Sequence, residues 1–199
     1  MLGVIDYGCG NLKSLSNALD AIGKKHSVVD NYKLLKKFDK IIIPGVGSYS
    51  NAIKKLKKKY FFDEIKEFAN GKYILGICVG MQILSDSGYE EKFTEGLKLV
   101  NGIVDKIENK AKISHVGWNN LDINKKTNLF SKILPNSDFY FVHSFAFKPK
   151  NNKVITSTIN YNKKKIVSSI ESGSIYGVQF HPEKSHKNGL KILQNFCNL

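Results

Sequence analysis

Apolar and polar positions along this 199-residue chain fall into two regimes. In the first half, short apolar runs alternate with stripes of helical period. Leu2 to Asp6 reads as a strand, followed by a turn at Tyr7-Gly8-Cys9-Gly10-Asn11. From Asn11, apolar residues recur at Leu12, Leu15, Leu19 and Ile22, the stripe of an amphipathic helix closed by Gly23. His26 to Val29 is a short strand, and Lys40 to Ile43 a buried one ending in Pro44-Gly45-Val46-Gly47. Helical spacing returns at Ile53 and Leu56, then at Phe62, Ile65 and Phe68. Tyr73 to Ile77 is the next strand, and Cys78 opens a helix. Strands that alternate with helices need crossover connections, which give a parallel sheet.

From Gly96 onward the pattern becomes β-like. The runs are Leu97 to Ile107, Lys112 to Trp118, Phe139 to His143, Val154 to Ile159, Ile166 to Ile170 and Ser174 to Phe180. Short turns such as Glu171-Ser172-Gly173 separate several of them. A last helix spans about His186 to Cys197, with Leu190, Leu193 and Phe196 facing inward. There is no linker, repeat or low-complexity tract. The expectation is one α/β domain over residues 1–199: a central, mostly parallel sheet flanked by helices, with an antiparallel β extension.

Composition narrows the class. At 42% hydrophobic, the chain can build a substantial core. No apolar stretch reaches the roughly 20 residues of a membrane span. The chain opens on a strand-like run rather than a signal segment, and its three cysteines form no disulfide framework, so a cytoplasmic protein is expected. The net charge of +14 suggests nucleic acid, but every basic residue is lysine and none is arginine. The lysines are scattered, without interleaved aromatics, and read as solvated faces. The histidines lack metal-ligand spacing, so neither a metal nor a cofactor is expected.

Chemistry concentrates at strand ends. Gly76-Ile77-Cys78-Val79-Gly80 places a cysteine on a sharp strand-to-helix turn, where small neighbours relieve crowding and backbone N–H groups favour the thiolate. A second apolar strand delivers His181, with Glu183 two residues on, positioned to orient it. Taken singly, the cysteine could be inert core and His181-Pro182-Glu183 a plain strand end. At two strand ends together they point to a Cys-His-Glu hydrolytic triad. Pro44-Gly45-Val46-Gly47 offers only backbone, which suits an oxyanion hole beside a thiolate, although such a tetrapeptide alone is an ordinary turn. In open α/β sheets, sites lie beyond the C-terminal strand ends, where all three segments fall.

These segments resemble those of the class I (triad) glutamine amidotransferases. Within that family, Asp6-Tyr7-Gly8-Cys9-Gly10-Asn11-Leu12, His115-Val116-Gly117-Trp118-Asn119 and Tyr140-Phe141-Val142-His143-Ser144 are similar to blocks of the glutaminase subunits of imidazole glycerol phosphate synthases. The resemblance covers nearly the whole chain. It implies hydrolysis of glutamine to glutamate and ammonia, with Cys78 as nucleophile, His181 as proton shuttle and Glu183 orienting it. It implies an oxyanion hole from Val46, Gly47 and Val79, and substrate binding by Gly45, Gln82, His143, Ser144 and Phe145. Ammonia would pass to a (β/α)₈-barrel cyclase subunit of a heterodimer, which makes imidazole glycerol phosphate and an aminoimidazole carboxamide ribotide in histidine biosynthesis. Asn11, Trp118, Tyr140 and Lys184 match positions facing that partner. Val79, Cys9 and Phe145 depart from the commoner residues, and Phe145 forgoes a hydroxyl contact. Other readings are a paralogous glutaminase feeding another amidation (a surface sugar, for example), a non-catalytic binding subunit, and a free-standing cysteine peptidase.

Overall fold

The computed structural model describes residues 1–107 and 114–199. In chain order the first half comprises β1 (Leu2–Ile5), α1 (Leu12–Ala21), β2 (His26–Val29), β3 (Lys40–Ile43), α2 (Tyr49–Lys58), α3 (Phe61–Phe68), β4 (Tyr73–Ile77) and α4 (Val79–Gln82). There follow β5 (Ser87–Gly88), β6 (Thr94–Glu95), β7 (Gly102–Lys106), β8 (His115–Asn120), β9 (Asp122–Ile123), β10 (Asp138–His143) and β11 (Phe145–Pro149). The chain ends with β12 (Ile155–Tyr161), β13 (Lys164–Ser172), β14 (Ile175–Val178) and α5 (His186–Cys197). A 3₁₀ segment, Tyr32–Lys37, joins β2 to β3.

The main sheet has eight strands in the order β2-β1-β3-β4-β14-β13-β12-β9. β2, β1, β3, β4 and β14 run parallel, and β13, β12 and β9 extend the sheet antiparallel. The inner parallel strands β1, β3, β4 and β14 are covered on both faces and read as apolar runs, whereas β2, at the sheet edge, is partly exposed. Val4, Ile5, Ile41, Ile42, Ile43, Ile74 and Leu75 are all fully buried. Helices contribute the other half of the core: Leu15 and Leu19 from α1, Ile53 and Leu56 from α2, Phe61 and Ile65 from α3, and Leu193 and Phe196 from α5. Outside this sheet, β8 pairs with β10, and β11-β7-β5-β6 form a separate four-stranded sheet.

Three expectations need correction. The helix after Cys78 is a single turn, because the carbonyls of Ile83 and Leu84 turn to accept from Leu97, Leu99 and Val100. Those bonds also break the run Leu97 to Ile107. Lys98 sits at φ +58°, and only Gly102–Lys106 is strand. β11 went unread because Lys148-Pro149-Lys150 ends it in polar and breaker residues. Of the run Lys112 to Trp118, Lys112 and Ile113 lie outside the described residues. Among the described residues, no helix is long and apolar enough to cross a membrane.

Candidate active site

β3, β4 and β14 are adjacent and parallel, so their C-terminal ends open at one place. Cys78 follows β4 directly, at φ +55° and ψ −114°, a conformation that disfavours any residue with a Cβ and costs on the order of 1–3 kcal/mol. Its neighbours hold it there. The Cys78 N–H donates to the Val178 carbonyl of β14 at 2.8 Å, while its own carbonyl accepts from Met81 and Gln82. The two glycines of the frame are required by packing of backbone on backbone. A Cβ on Gly76 would come 2.5 Å from the Gly80 carbonyl oxygen, and one on Gly80 would run into the Ile43 carbonyl. Gly45 meets the same turn from the β3 side, since a Cβ there would lie 2.8 Å from the Val79 Cβ. This close approach seats α4 over the ends of β3 and β4.

His181 follows β14 and is almost wholly buried. Its backbone is fixed twice: His181 N–H donates to the Tyr140 carbonyl at 2.9 Å, and its carbonyl accepts from the Ser185 hydroxyl at 2.6 Å. The ring donates from Nδ1 to Glu183 Oε1 at 2.8 Å, which leaves Nε2 as the nitrogen that can exchange a proton. Burial lowers the imidazolium's pKa, but hydrogen bonds and opposite charge from Cys78 and Glu183 outweigh it and raise it to about 10. The contribution of Cys78 requires its sulfur to reach Nε2. In the geometry seen, Nε2 has no completed hydrogen bond among the described residues, nor does Glu183 Oε2. The sulfur instead lies 3.9 Å from the Val142 carbonyl and 3.6 Å from Gln179 Nε2.

A cavity of about 150 Å³ opens over the sulfur. Cys78, His181, Val46, Gly47, Val79, Gln82, His143, Ser144 and Phe145 all line it, so nearly every residue expected at the site meets there. Gly45 does not. It is buried beneath Val79 and Gly80 and supports the turn from below. Gly47 sits at φ +88° with its Cβ direction open, and the N–H groups of Val46, Gly47 and Val79 have no acceptor among the described residues.

Three contributors were not legible in advance. Glu90 lines the cavity as its one carboxylate among the described residues. Burial raises its pKa, the Tyr49 N–H that it accepts at 2.8 Å opposes that, and Glu91 adds to the rise. His115 stands behind His143, with its Nδ1 3.0 Å from His143 Nε2. The second nitrogen of His143, Nδ1, meets the Phe145 carbonyl at 2.9 Å and must donate to it, so His143 accepts from His115. Burial pushes His143 down to about 4 and keeps it neutral. Gln179, fully buried, completes the set. It precedes His181 by two residues on the same strand end, yet nothing in sequence marks a buried amide aimed at the sulfur.

The residues expected at a partner face also assemble. Trp118 and Tyr140 are cross-strand neighbours with ring centroids 5.9 Å apart, and Lys184 Nζ lies 5.7 Å over the Tyr140 ring. Trp118 also stacks on His186, at 5.0 Å and 7°. Asn11 caps α1 through Ser14, and Ser14 lines a shallow groove of about 370 Å³ together with Glu183, Lys184 and His186. This exposed face therefore begins at Glu183.

Residues 3–199 match the family model described as "Glutamine amidotransferase class-I". The chain is 44% identical to the imidazole glycerol phosphate synthase subunit HisH 1 of Campylobacter jejuni subsp. jejuni, over 100% of both chains. It is 40% identical to the subunit HisH of Aquifex aeolicus, covering 97% of this chain and 94% of that one. In architecture it is similar to a chain of PurLQS from Thermotoga maritima, with a TM-score of 0.77, 21% identity, and coverage of 99% and 97%. With the family model spanning almost its full length, the chain belongs to the class-I glutamine amidotransferases.

Proposed function

We propose that this chain is the glutaminase subunit of an imidazole glycerol phosphate synthase, releasing ammonia from L-glutamine for histidine biosynthesis. The observation that carries the reading is the convergence of Cys78, on its strained turn, and the buried His181–Glu183 pair at one cavity. Relatives named as subunits of that synthase, similar over the full chain, support the pathway and a partner subunit.

The chemistry follows from the geometry. The Cys78 thiolate attacks the side-chain amide carbon of glutamine, and the carbonyl oxygen gains the negative charge. N–H groups of Val79 and of the Val46–Gly47 segment, without an acceptor among the described residues, stabilise that oxygen. Collapse breaks the C–N bond, and the His181 imidazolium gives its Nε2 proton to the departing ammonia. Glu183 keeps the ring oriented and favours its charged form. The glutamyl thioester is then attacked by water, which yields one proton to His181; the adduct expels the Cys78 thiolate, and the acid formed loses its proton to solvent as glutamate. At the other end of the substrate, Glu90 offers the negative charge for the α-ammonium. Gln82 spends both amide hydrogens on the Phe145 carbonyl and Gln179 Oε1, so its free oxygen faces the ligand as an acceptor.

The partner is a (β/α)₈ cyclase subunit docked over Trp118, Tyr140, Lys184 and Asn11, in the cytoplasm. Ammonia is thereby delivered without crossing bulk water. Reconstitution with that subunit and its nucleotide substrate tests the reading. Cys78→Ala should abolish turnover on glutamine and leave turnover on free ammonia intact. Loss of both would instead assign Cys78 to folding or docking.

A further inference from the structure

Gln179 is the last residue before Phe180-His181, and it is buried without any accessible surface. Its side chain ends a chain of three directed hydrogen bonds. Gln82 Nε2 donates to the Phe145 carbonyl at 3.0 Å and to Gln179 Oε1 at 3.0 Å. Because Gln179 Oε1 accepts there, its amide nitrogen has to be the group turned toward Cys78, and Nε2 lies 3.6 Å from Sγ. Gln82 cannot reverse this order. Rotating its amide would set its one oxygen against both the Phe145 carbonyl oxygen and Gln179 Oε1. The backbone N–H of Gln179 is held as well, by the Ser168 carbonyl at 2.8 Å.

We propose that Gln179 is a hydrogen-bond donor to the reacting sulfur, locked in that orientation by Gln82, and that it populates and aims the Cys78 thiolate. This rests on the reading of Cys78 as the nucleophile. A donor to an anion stabilises it more than it stabilises the neutral thiol, and burial of the whole relay strengthens the effect. The same relay links the two ends of the substrate cavity. Gln82 lines the same cavity as Cys78, so a ligand cation accepted by its oxygen polarises the chain that ends on the sulfur. Gln179 acts beside His181 and leaves the proton transfers to it.

The test is the pH dependence of Cys78 alkylation by iodoacetamide in the full chain, read by peptide mapping so that Cys9 and Cys197 are followed separately. His181, Glu183, His143, Glu90 and Tyr7, the titratable groups around the sulfur and its cavity, stay in place in every variant compared. Gln179→Met keeps the volume and removes the donor. It should slow Cys78 alkylation about threefold to tenfold at neutral pH and shift the profile to higher pH, with no loss of the plateau rate. A profile superimposed on that of the unmodified chain would overturn the proposal. Should Gln179→Met melt at assay temperature, Gln82→Met removes the lock instead, and a smaller shift in the same direction is expected. No shift there overturns the proposal equally. If Cys78 reacts no faster than Cys9 and Cys197 in the unmodified chain, the nucleophile reading falls with it.

Discussion

Gly76→Ala tests whether the strained turn is held by backbone packing. The added Cβ would stand 2.5 Å from the Gly80 oxygen, 2.6 Å from the Gly80 carbonyl carbon and 2.7 Å from the Met81 Cα. A carbon and a carbonyl oxygen settle no closer than about 3.3 Å, so α4 must retreat from β4 by roughly 0.8 Å. No flexible side chain can absorb that movement, since every atom met is backbone. Overpacking of this kind costs about 1–3 kcal/mol, which for a chain of this length lowers the melting temperature by roughly 2–12 °C. The retreat also carries Cys78 and the Val79 N–H away from the cavity, and a displacement near 1 Å can cost about a hundredfold in rate. Gly173→Ala is the control. It sits at φ +60° with nothing within 4 Å of its Cβ direction, so it pays only left-handed strain of about 1–2 kcal/mol. Calorimetry and glutamate release, measured on both variants, separate stability from positioning. Comparable melting losses with activity lost only in Gly76→Ala are expected. Activity of Gly76→Ala within about threefold of the unmodified chain would refute the reasoning.

Other outcomes follow from the same geometry. Glu183→Gln removes the charge that helps raise His181 to about 10 and should cut glutamine turnover by about 10²–10⁴, assayed as glutamate release with the partner bound. A loss under about threefold would mean that His181 needs no carboxylate. Glu90→Gln should raise KM for glutamine far more than it lowers kcat, and an unchanged KM would remove Glu90 from the ammonium site. His143, held near 4 against 6.5 in the unfolded chain, stays neutral when folded. The unfolded chain therefore takes up the proton first, and this residue's contribution to stability falls as pH drops from 6.5 toward 4. An NMR titration of its ring should show no midpoint above pH 5, and a midpoint near 6.5 would contradict the buried neutral assignment. Trp118→Ala, at a half-exposed position, should leave the melting temperature of the isolated chain nearly unchanged and weaken capture of the partner subunit.

Much of the scaffold was legible because its strands are buried on both faces. Lys40–Ile43 and Tyr73–Ile77 read as unbroken apolar runs for that reason, and their glycine-rich ends mark where the chain turns into the site. Helices α1, α2, α3 and α5 announced themselves by period, since one face of each lies on the sheet. The one-turn α4 was overread because Ile83 and Leu84 continue a helical apolar stripe while their carbonyls serve Leu97, Leu99 and Val100. Tertiary partners decide such a segment, and they leave no local trace.

The same division holds within the site. Cys78 and His181 carry chemistry in their side chains and lie beside glycine or proline, so motif spacing finds them. Glu90 and His115 act only through what long-range folding sets against them: Glu90 through the α2 N-terminus and the cavity, His115 through its cross-strand pairing with His143. Gly45 shows the opposite case. A motif position expected at the substrate lies buried where β3 meets the turn, outside the cavity lining.

The central claim is that Cys78, alone among the three cysteines, is the nucleophile toward glutamine. Incubating the chain, bound to its partner subunit, with a diazoketone analogue of glutamine and mapping the adduct by mass spectrometry tests it directly. A single thioether adduct on the Cys78 peptide is expected, formed in step with loss of glutamate release and absent in Cys78→Ser. Inactivation with the adduct on Cys9 or Cys197, or with Cys78 unmodified, would contradict it.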